Sequence, residues 1–497
     1  MGLEPAGDNG TYFQGVAVFN RSYDTSSTIT VDGRALRVWE DFIPRDQGPG
    51  VKSVNGAQVV YGGTWGDSTT LISRDSVAGK FVVLSLIPAG YSAPNAPGTA
   101  NRARITQYYG AAAGVAIVGL DQIPLDARDV YRATFPSLRG SGTGPSFPAY
   151  VYMTRAAAAQ LLGAPLEGAR TGQAGRTISG TVRFAEVAPP FAVRNVVARL
   201  TGSDPALRNE FVAIGAHNDH VGMGNPVAHD SMYVLNHLFR EGGADDPPVR
   251  LDSAKAAQVN AILADVRRRT NGASARVDSI FNGADDDGSG SMGVLEIAEY
   301  FAGMRPNQRP KRSLLFIWHV GEEEGMWGSG YFTDNPTVPR DSIVAQLNID
   351  MIGRGAAADE TGRRIGNGVI YGGTDYVQLI GSRRLSTELG DMAETVNRAQ
   401  RRPLAFDYAL DANGHPQNIY CRSDHWSYAR WGIPIIFFTT GGHADYHQVT
   451  DEPQYIDYDK LARVSSFVAS LATSVGNMDH RPLVDKPKPD PRGNCQQ

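Results

Sequence analysis

The stretch Phe316-Ile-Trp-His-Val-Gly-Glu-Glu-Glu-Gly-Met-Trp-Gly-Ser-Gly330 constrains this 497-residue chain more than any other. The apolar run Ser313 to Val320 reads as a buried strand of a parallel sheet, since a strand covered on both faces stays apolar instead of alternating. The run stops at Gly321 and delivers Glu322, Glu323 and Glu324 in succession. Carboxylates crowded at a strand's end repel one another and desolvate badly. A solvated acidic loop is the ordinary explanation of such a triplet. A bound cation is the other, and it gives two neighbours different work: one ligates the metal while the next takes a proton from the metal-bound water.

Other apolar runs end the same way. Phe211-Val-Ala-Ile-Gly-Ala-His-Asn-Asp219 is a strand ending in His217, with Asp219 two residues on. Residues i and i+2 of an extended chain share a face, so the carboxylate can lie beside the imidazole and fix its tautomer. Ile343 to Gly353 is a buried strand with Asp350 in its apolar end, where an isolated carboxylate is costly unless paired or metal-bound. Gly432 to Phe438 is a short strand followed by a polar loop with His443 and His447. Asp285, Asp286 and Asp287 precede a Gly/Ser-rich helix start. A helix cap needs one carboxylate, and the surplus fits a metal-bridging aspartate. In open parallel sheets ligands bind outside the carboxyl ends of the strands, so these residues converge on one edge.

Composition excludes several classes. A net charge of −5 argues against a nucleic-acid footprint, and no apolar run is long enough to span a bilayer. Cys421 and Cys495 cannot form a Cys₄ zinc site, so any metal should rest on His and carboxylate.

The expected organisation is an α/β chain with a mostly parallel central sheet flanked by helices and a small inserted β/α domain. Residues 1–51 are assigned to the N-terminal part of the main domain, 52–188 to the small domain and 189–480 to the rest of the main domain. Residues 222–280 are a long insertion whose His229 and His237, with His220 just before it, read as structural or lid residues. The Pro/Lys/Asp-rich segment 481–497 is expected to be disordered. Met1-Gly-Leu-Glu-Pro has neither a charged n-region nor an apolar h-region, and the opening reads as a loop inside a domain. The N-terminal part of the parent protein is therefore expected to be missing.

His217-x-Asp219, Gly283-Ala-Asp-Asp-Asp-Gly-Ser-Gly290, Gly321-Glu-Glu-Glu-Gly325, Asn348-Ile-Asp-Met-Ile-Gly353 and Tyr446-His-Gln-Val-Thr-Asp451 resemble, in order, the motifs of the co-catalytic di-zinc aminopeptidases. That clan also holds glutamate carboxypeptidase, the transferrin receptor and glutaminyl cyclase. Residues 52–188 resemble the protease-associated domain in their Gly-Lys-Phe-Val-Val-Leu, Gly-Ala-Ala-Ala-Gly-Val-Ala-Ile-Val and Phe-Pro-Ala-Tyr-Val segments.

The resemblance implies two Zn²⁺ ions, one held by His217 and Asp350, the other by Glu323 and His447, with Asp286 bridging. Glu322 is then the general base on a water between the ions, Asp219 orients His217, and Tyr446 hydrogen-bonds the tetrahedral intermediate. Asp424 and His425 stand behind the ligands. The implied activity is removal of N-terminal residues from peptides by a secreted or periplasmic enzyme. The alternatives are a carboxypeptidase or dipeptidase of the same clan, and an inactive receptor-like scaffold. Glutaminyl cyclase is disfavoured because all five ligand positions are filled. Two departures stand out: the gap from His217 to Asp286 exceeds that of compact members, and the family's early N-terminal helix is missing.

Overall fold

The apolar runs from residue 211 onward become the middle of a nine-stranded sheet. In chain order its strands are β1 (Glu4–Pro5), β2 (Phe13–Gly15), β3 (Arg194–Leu200), β4 (Phe211–His217), β5 (Ser313–His319), β6 (Ile343–Ile349), β7 (Tyr376–Ile380), β8 (Ala405–Asp407) and β9 (Ile435–Thr439). The spatial order is β1-β3-β5-β4-β6-β9-β7-β8, with β2 also paired to β3. The central β5, β4, β6 and β9 run parallel. β3 and β7 flank them antiparallel. This computed structural model describes all residues except 46–50, 66–69, 87–107, 109, 125–127, 129–133, 139–147, 248, 270–275, 355–363, 366–368, 371–372, 492 and 494.

Alternate residues of each central strand serve opposite faces, which is why the runs are apolar throughout. Val212, Ile214, Phe316, Leu347 and Ile349 pack against Val294, Ile297 and Phe301 of a helix at Gly288–Ala302 and against Val464, Phe467 and Leu471 of one at Tyr458–Gly476. Ala213, Leu315 and Ile317 face Phe332 and Tyr428, from short helices at Trp327–Asp334 and His425–Ala429. Both long helices start on an aspartate cap: Asp287 accepts from the Gly290 N–H at 2.9 Å and Asp457 from that of Lys460 at 3.0 Å.

The chain divides into two units, one of Met1–Val16 and Val193–Gln497 and the other of Ala17–Ala192. The second unit has its own core around Val59, Phe81, Val83, Ala116 and Val151. Phe81–Leu86, Gly114–Val118 and Ala149–Met153 lie side by side and parallel in its eight-stranded sheet. Residues 17–51, assigned to the main domain from sequence, fall in this unit. Their strand Phe42–Arg45 pairs with Ala149–Met153 and Thr28–Val31 with Ala174–Val182, pairings between distant segments that local pattern does not display. The composition of residues 99–110 suggests a helix, and that stretch lies largely outside the described residues.

The insertion is a hairpin, Met223–Ala228 against Val277–Ile280, enclosing helices His229–Phe239 and Ser253–Arg269 that meet through Val234, Val259 and Leu263. The segment 481–497, expected to be disordered, is fastened down. Cys421 and Cys495 form a disulfide, Asp485 accepts from the Thr387 N–H at 3.0 Å, and Gln497 Oε1 accepts from that of Tyr420 at 3.0 Å. Its proline-rich composition forbids helix and strand but not an extended segment held by such contacts.

Candidate functional site

At the carboxyl edge of the sheet β4 ends on His217, β5 leads into Glu322 and Glu323, β6 into Asp350, and the loop after β9 carries His443 and His447. The acidic turn 285–287 meets them there. Each of its three carboxylates points elsewhere. Asp285 accepts from the Gly353 N–H at 2.6 Å and faces His443 at 3.2 Å. Asp287 accepts from the backbone N–H groups of His217 at 3.1 Å and Met351 at 3.2 Å, besides capping its helix. Only Asp286 among the three turns one oxygen to His217 Nε2, at 3.2 Å, and the other to His447 Nε2, at 2.8 Å.

Two groups of side chains share Asp286. His217 Nε2 lies 3.7 Å from Asp350 Oδ1, and His447 Nε2 lies 3.0 Å from Glu323 Oε2. The first group is His217, Asp286 and Asp350; the second is His220, Asp286, Glu323 and His447. Within each, candidate ligand atoms all lie within 4.8 Å of one another. Ligands at about 2.0–2.1 Å from a tetrahedral zinc sit about 3.3 Å apart, so the spacing suits an ion. The chemistry agrees. His217 Nε2, His447 Nε2, Asp350 Oδ1 and Glu323 Oε1 are buried without a hydrogen-bond partner. A buried polar atom left unpaired costs about 1–3 kcal/mol, and a shared cation relieves several at once.

The surroundings hold these atoms in place. His217 Nδ1 lies 3.0 Å from the Asp219 carbonyl oxygen, which can only accept, so Nδ1 carries a proton and Nε2 is the nitrogen turned toward Asp286 and Asp350. The Asp219 carboxylate, expected to do this, is farther from Nδ1, at 3.6 Å. It accepts instead from the N–H groups of Glu322 at 3.1 Å and Glu323 at 3.3 Å, fixing the acidic turn. Asp350 Oδ2 accepts from the Ser423 hydroxyl at 2.7 Å. The buried Asp424 faces His319 Nδ1 at 3.2 Å, and His425 Nε2 donates to the Tyr420 carbonyl oxygen at 2.8 Å.

Charge in the site is strongly coupled. Burial lowers the proton affinity of His447, but Asp286 and Glu323 outweigh it and hold the imidazole up at about 10. Against the same penalty Asp350, Asp219 and Asp286 raise His217 well above its ordinary value. Burial pushes Glu322 well above the usual carboxylate range; His217 opposes it, while Asp350, Asp424 and Asp286 add to it. Tyr446 stacks on His447 with ring centroids 3.9 Å apart. Its hydroxyl oxygen accepts from Arg422 at 3.3 Å, leaving the phenol proton free to be donated, and burial followed by Asp286 raises it above its usual value.

The insertion clasps the loop that carries His447. Asn236 donates to Thr450 at 3.1 Å, His237 to Asp445 at 2.9 Å, and Ala244 N–H to the Tyr446 carbonyl at 3.0 Å. His229 and Arg276 both reach Glu452, at 2.9 and 2.6 Å. His229, Asp278 and Glu452 also form a possible metal group, but Arg276 already lies between the two carboxylates, 2.5 Å from Asp278. His229 and His237, expected to be structural or lid residues, both fasten the insertion to this loop. His220, placed with them from sequence, joins the second group instead. It follows the strand in an irregular turn, where no periodicity marks it.

Residues 266–472 match the description Peptidase family M28. Leupeptin-inactivating enzyme 1 of Streptomyces exfoliatus is 42% identical over 84 residues, 16% of this chain and 19% of that protein. Leucine aminopeptidase 1 of Paracoccidioides brasiliensis (strain Pb18) is 26% identical over 196 residues, 38% of this chain and 45% of that protein. The chain spans less than half the length of these curated relatives. Among solved structures, an aminopeptidase from Aneurinibacillus sp. strain AM-1 aligns with a TM-score of 0.42 at 17% identity, covering 96% of this chain and 87% of its own.

Proposed function

We propose that this protein, whose residues 266–472 match peptidase family M28, is a zinc-dependent aminopeptidase with two ion positions that share Asp286. The observation that carries the reading is the Asp286 carboxylate, whose two oxygens face the imidazoles of two separate ligand groups. His217 and Asp350 serve one position, Glu323 and His447 the other. Bound zinc supplies Lewis acidity toward the scissile carbonyl and the attacking water.

The remaining chemistry belongs to side chains. Glu322 takes a proton from the attacking water and returns it to the leaving amine, a role suited to a carboxylate whose proton affinity is raised by burial. Tyr446 donates its free phenol proton to the developing oxyanion, with Arg422 fixing its oxygen. Asp219 holds Glu322 and Glu323 through their N–H groups.

A carboxypeptidase needs a cation for the substrate's terminal carboxylate. Arg422 and Arg354 are each engaged by an aspartate, Asp245 at 2.7 Å and Asp445 at 3.0 Å, which favours the aminopeptidase. The Cys421–Cys495 disulfide supports an oxidising compartment, hence a secreted or periplasmic protein. The parallel neighbours Phe81–Leu86 and Gly114–Val118 support reading the second unit as a protease-associated domain.

The test is a panel of aminoacyl-p-nitroanilides and their N-acetylated counterparts, with and without a zinc chelator. Release from free-amine substrates alone, abolished by chelator and restored by zinc, is expected. C-terminal trimming of N-blocked peptides would move the assignment to a carboxypeptidase. Inactivity with zinc bound would move it to a scaffold.

A further inference from the structure

We propose that His220 is a metal ligand, completing a four-residue set with Asp286, Glu323 and His447, so that the two positions are chemically unequal. The proposal rests on the metal-centre reading above and extends it to a residue that reading does not use.

His220 Nδ1 lies 2.8 Å from Glu323 Oε1 and 3.9 Å from Asp286 Oδ2. The ring meets that of His447 edge to face, with centroids 5.3 Å apart. Its side chain is only 10% exposed, and both ring nitrogens, like Glu323 Oε1, lack a hydrogen-bond partner. Two orphaned polar atoms 2.8 Å apart without hydrogen-bond geometry are the arrangement expected of two ligands on one ion.

The ring is also held from behind. A Cβ on Gly283 would come within 2.6 Å of His220 Cγ and 2.8 Å of Cδ2, and Gly283 has φ +60°. Glycine at this position lets the chain leading into Asp286 close against the imidazole. The turn after β4 thus delivers two histidines three residues apart, His217 to one group and His220 to the other.

The sets differ in kind. Around His220 there are two imidazoles and two carboxylates, enough to close a tetrahedral zinc with protein atoms alone. Around His217 there is one imidazole with Asp286 and Asp350, and one Asp350 oxygen is taken by Ser423. That position keeps room for water or substrate, as catalytic zinc sites do. The His220 position should therefore fill first and hold its metal longer.

The test is a titration of metal-free protein with zinc against a chromophoric chelator, with the visible spectrum of the Co²⁺-substituted protein as a second readout. Wild type should bind two unequal equivalents. His220→Ala should weaken the tighter by about 10-fold or more and leave the weaker unchanged, and His220→Gln should behave likewise. The Co²⁺ band of the tighter position should shift in both variants. Unchanged equivalents and an unchanged Co²⁺ spectrum in folded His220→Ala overturn the proposal. His447→Ala separates the premise from the inference: if it too leaves both equivalents untouched, or wild type binds no stoichiometric metal, the metal-centre reading itself fails.

Discussion

Asp451 Oδ2 accepts hydrogen bonds from the backbone N–H groups of both Asp285, at 3.0 Å, and Asp286, at 3.2 Å. The loop that presents His447 thereby also sets the backbone of the acid shared between the two groups. Asp451→Ala removes the acceptor and leaves two buried donors unpaired, each costing about 1–3 kcal/mol. Zinc affinity should fall roughly 10–100-fold, the magnitude typical of supporting residues around metal ligands. Asp451→Asn keeps a carbonyl acceptor and should lose less. Zinc titration of the two variants, with circular dichroism to verify folding, checks the order.

Metal binding should compete with protons at His447. Burial opposes its protonation, yet Asp286 and Glu323 hold it at about 10, whereas the unfolded imidazole titrates at about 6.5. A group raised in this way stabilises the metal-free fold fully below about 6.5, and the contribution is lost as pH rises through about 10. Zinc must displace the same proton, so its apparent affinity rises with pH. The difference in thermal midpoint between zinc-loaded and metal-free protein should widen from about pH 6 to about pH 9. A gap that narrows would show that zinc does not replace this proton.

Tyr446→Phe removes the phenol while keeping the ring that stacks on His447. Loss of one oxyanion donor costs about 10²–10³ in kcat. The expected result is a fall of about that size with KM and zinc content little changed. A change confined to KM would make Tyr446 a substrate-binding residue instead.

The Cys421–Cys495 bridge closes a loop with a sequence separation of 74 and ends two residues before Ser423, the donor to Asp350. Loop-closure entropy puts its stabilisation at roughly 4 kcal/mol. Cys495→Ser, or treatment with a reductant, should lower the thermal midpoint by several degrees. A midpoint indifferent to reductant would mean that the tail contributes no constraint.

Sequence disclosed the sheet well because its central strands are buried on both faces. Uninterrupted runs such as Phe211–Ala216 and Ser313–Val320 follow from that burial, and a polar residue at the end of such a run stands out. Asp286 was distinguishable from Asp285 and Asp287 only through resemblance to a family, since all three suit a helix start. His220 and Ser423 escaped because both lie in irregular turns, where spacing predicts no shared face. The helix Thr387–Arg398, capped by Ser386 and burying Leu389 and Ala393, has an amphipathic periodicity that its sequence also carries. Residues 17–51 and the tail are the least legible for a common reason: their partners lie far away along the chain. Composition carries no record of such pairings.

The most direct measurement is turnover of a free-amine aminoacyl-p-nitroanilide by Glu322→Gln at matched zinc content. Gln keeps the size of the side chain and its ability to accept a hydrogen bond but cannot take up and return a proton. Zinc binding equal to that of the unsubstituted protein is expected, with kcat lower by about 10²–10⁴. Turnover within a few-fold of the unsubstituted protein would contradict it and require another group to move the proton.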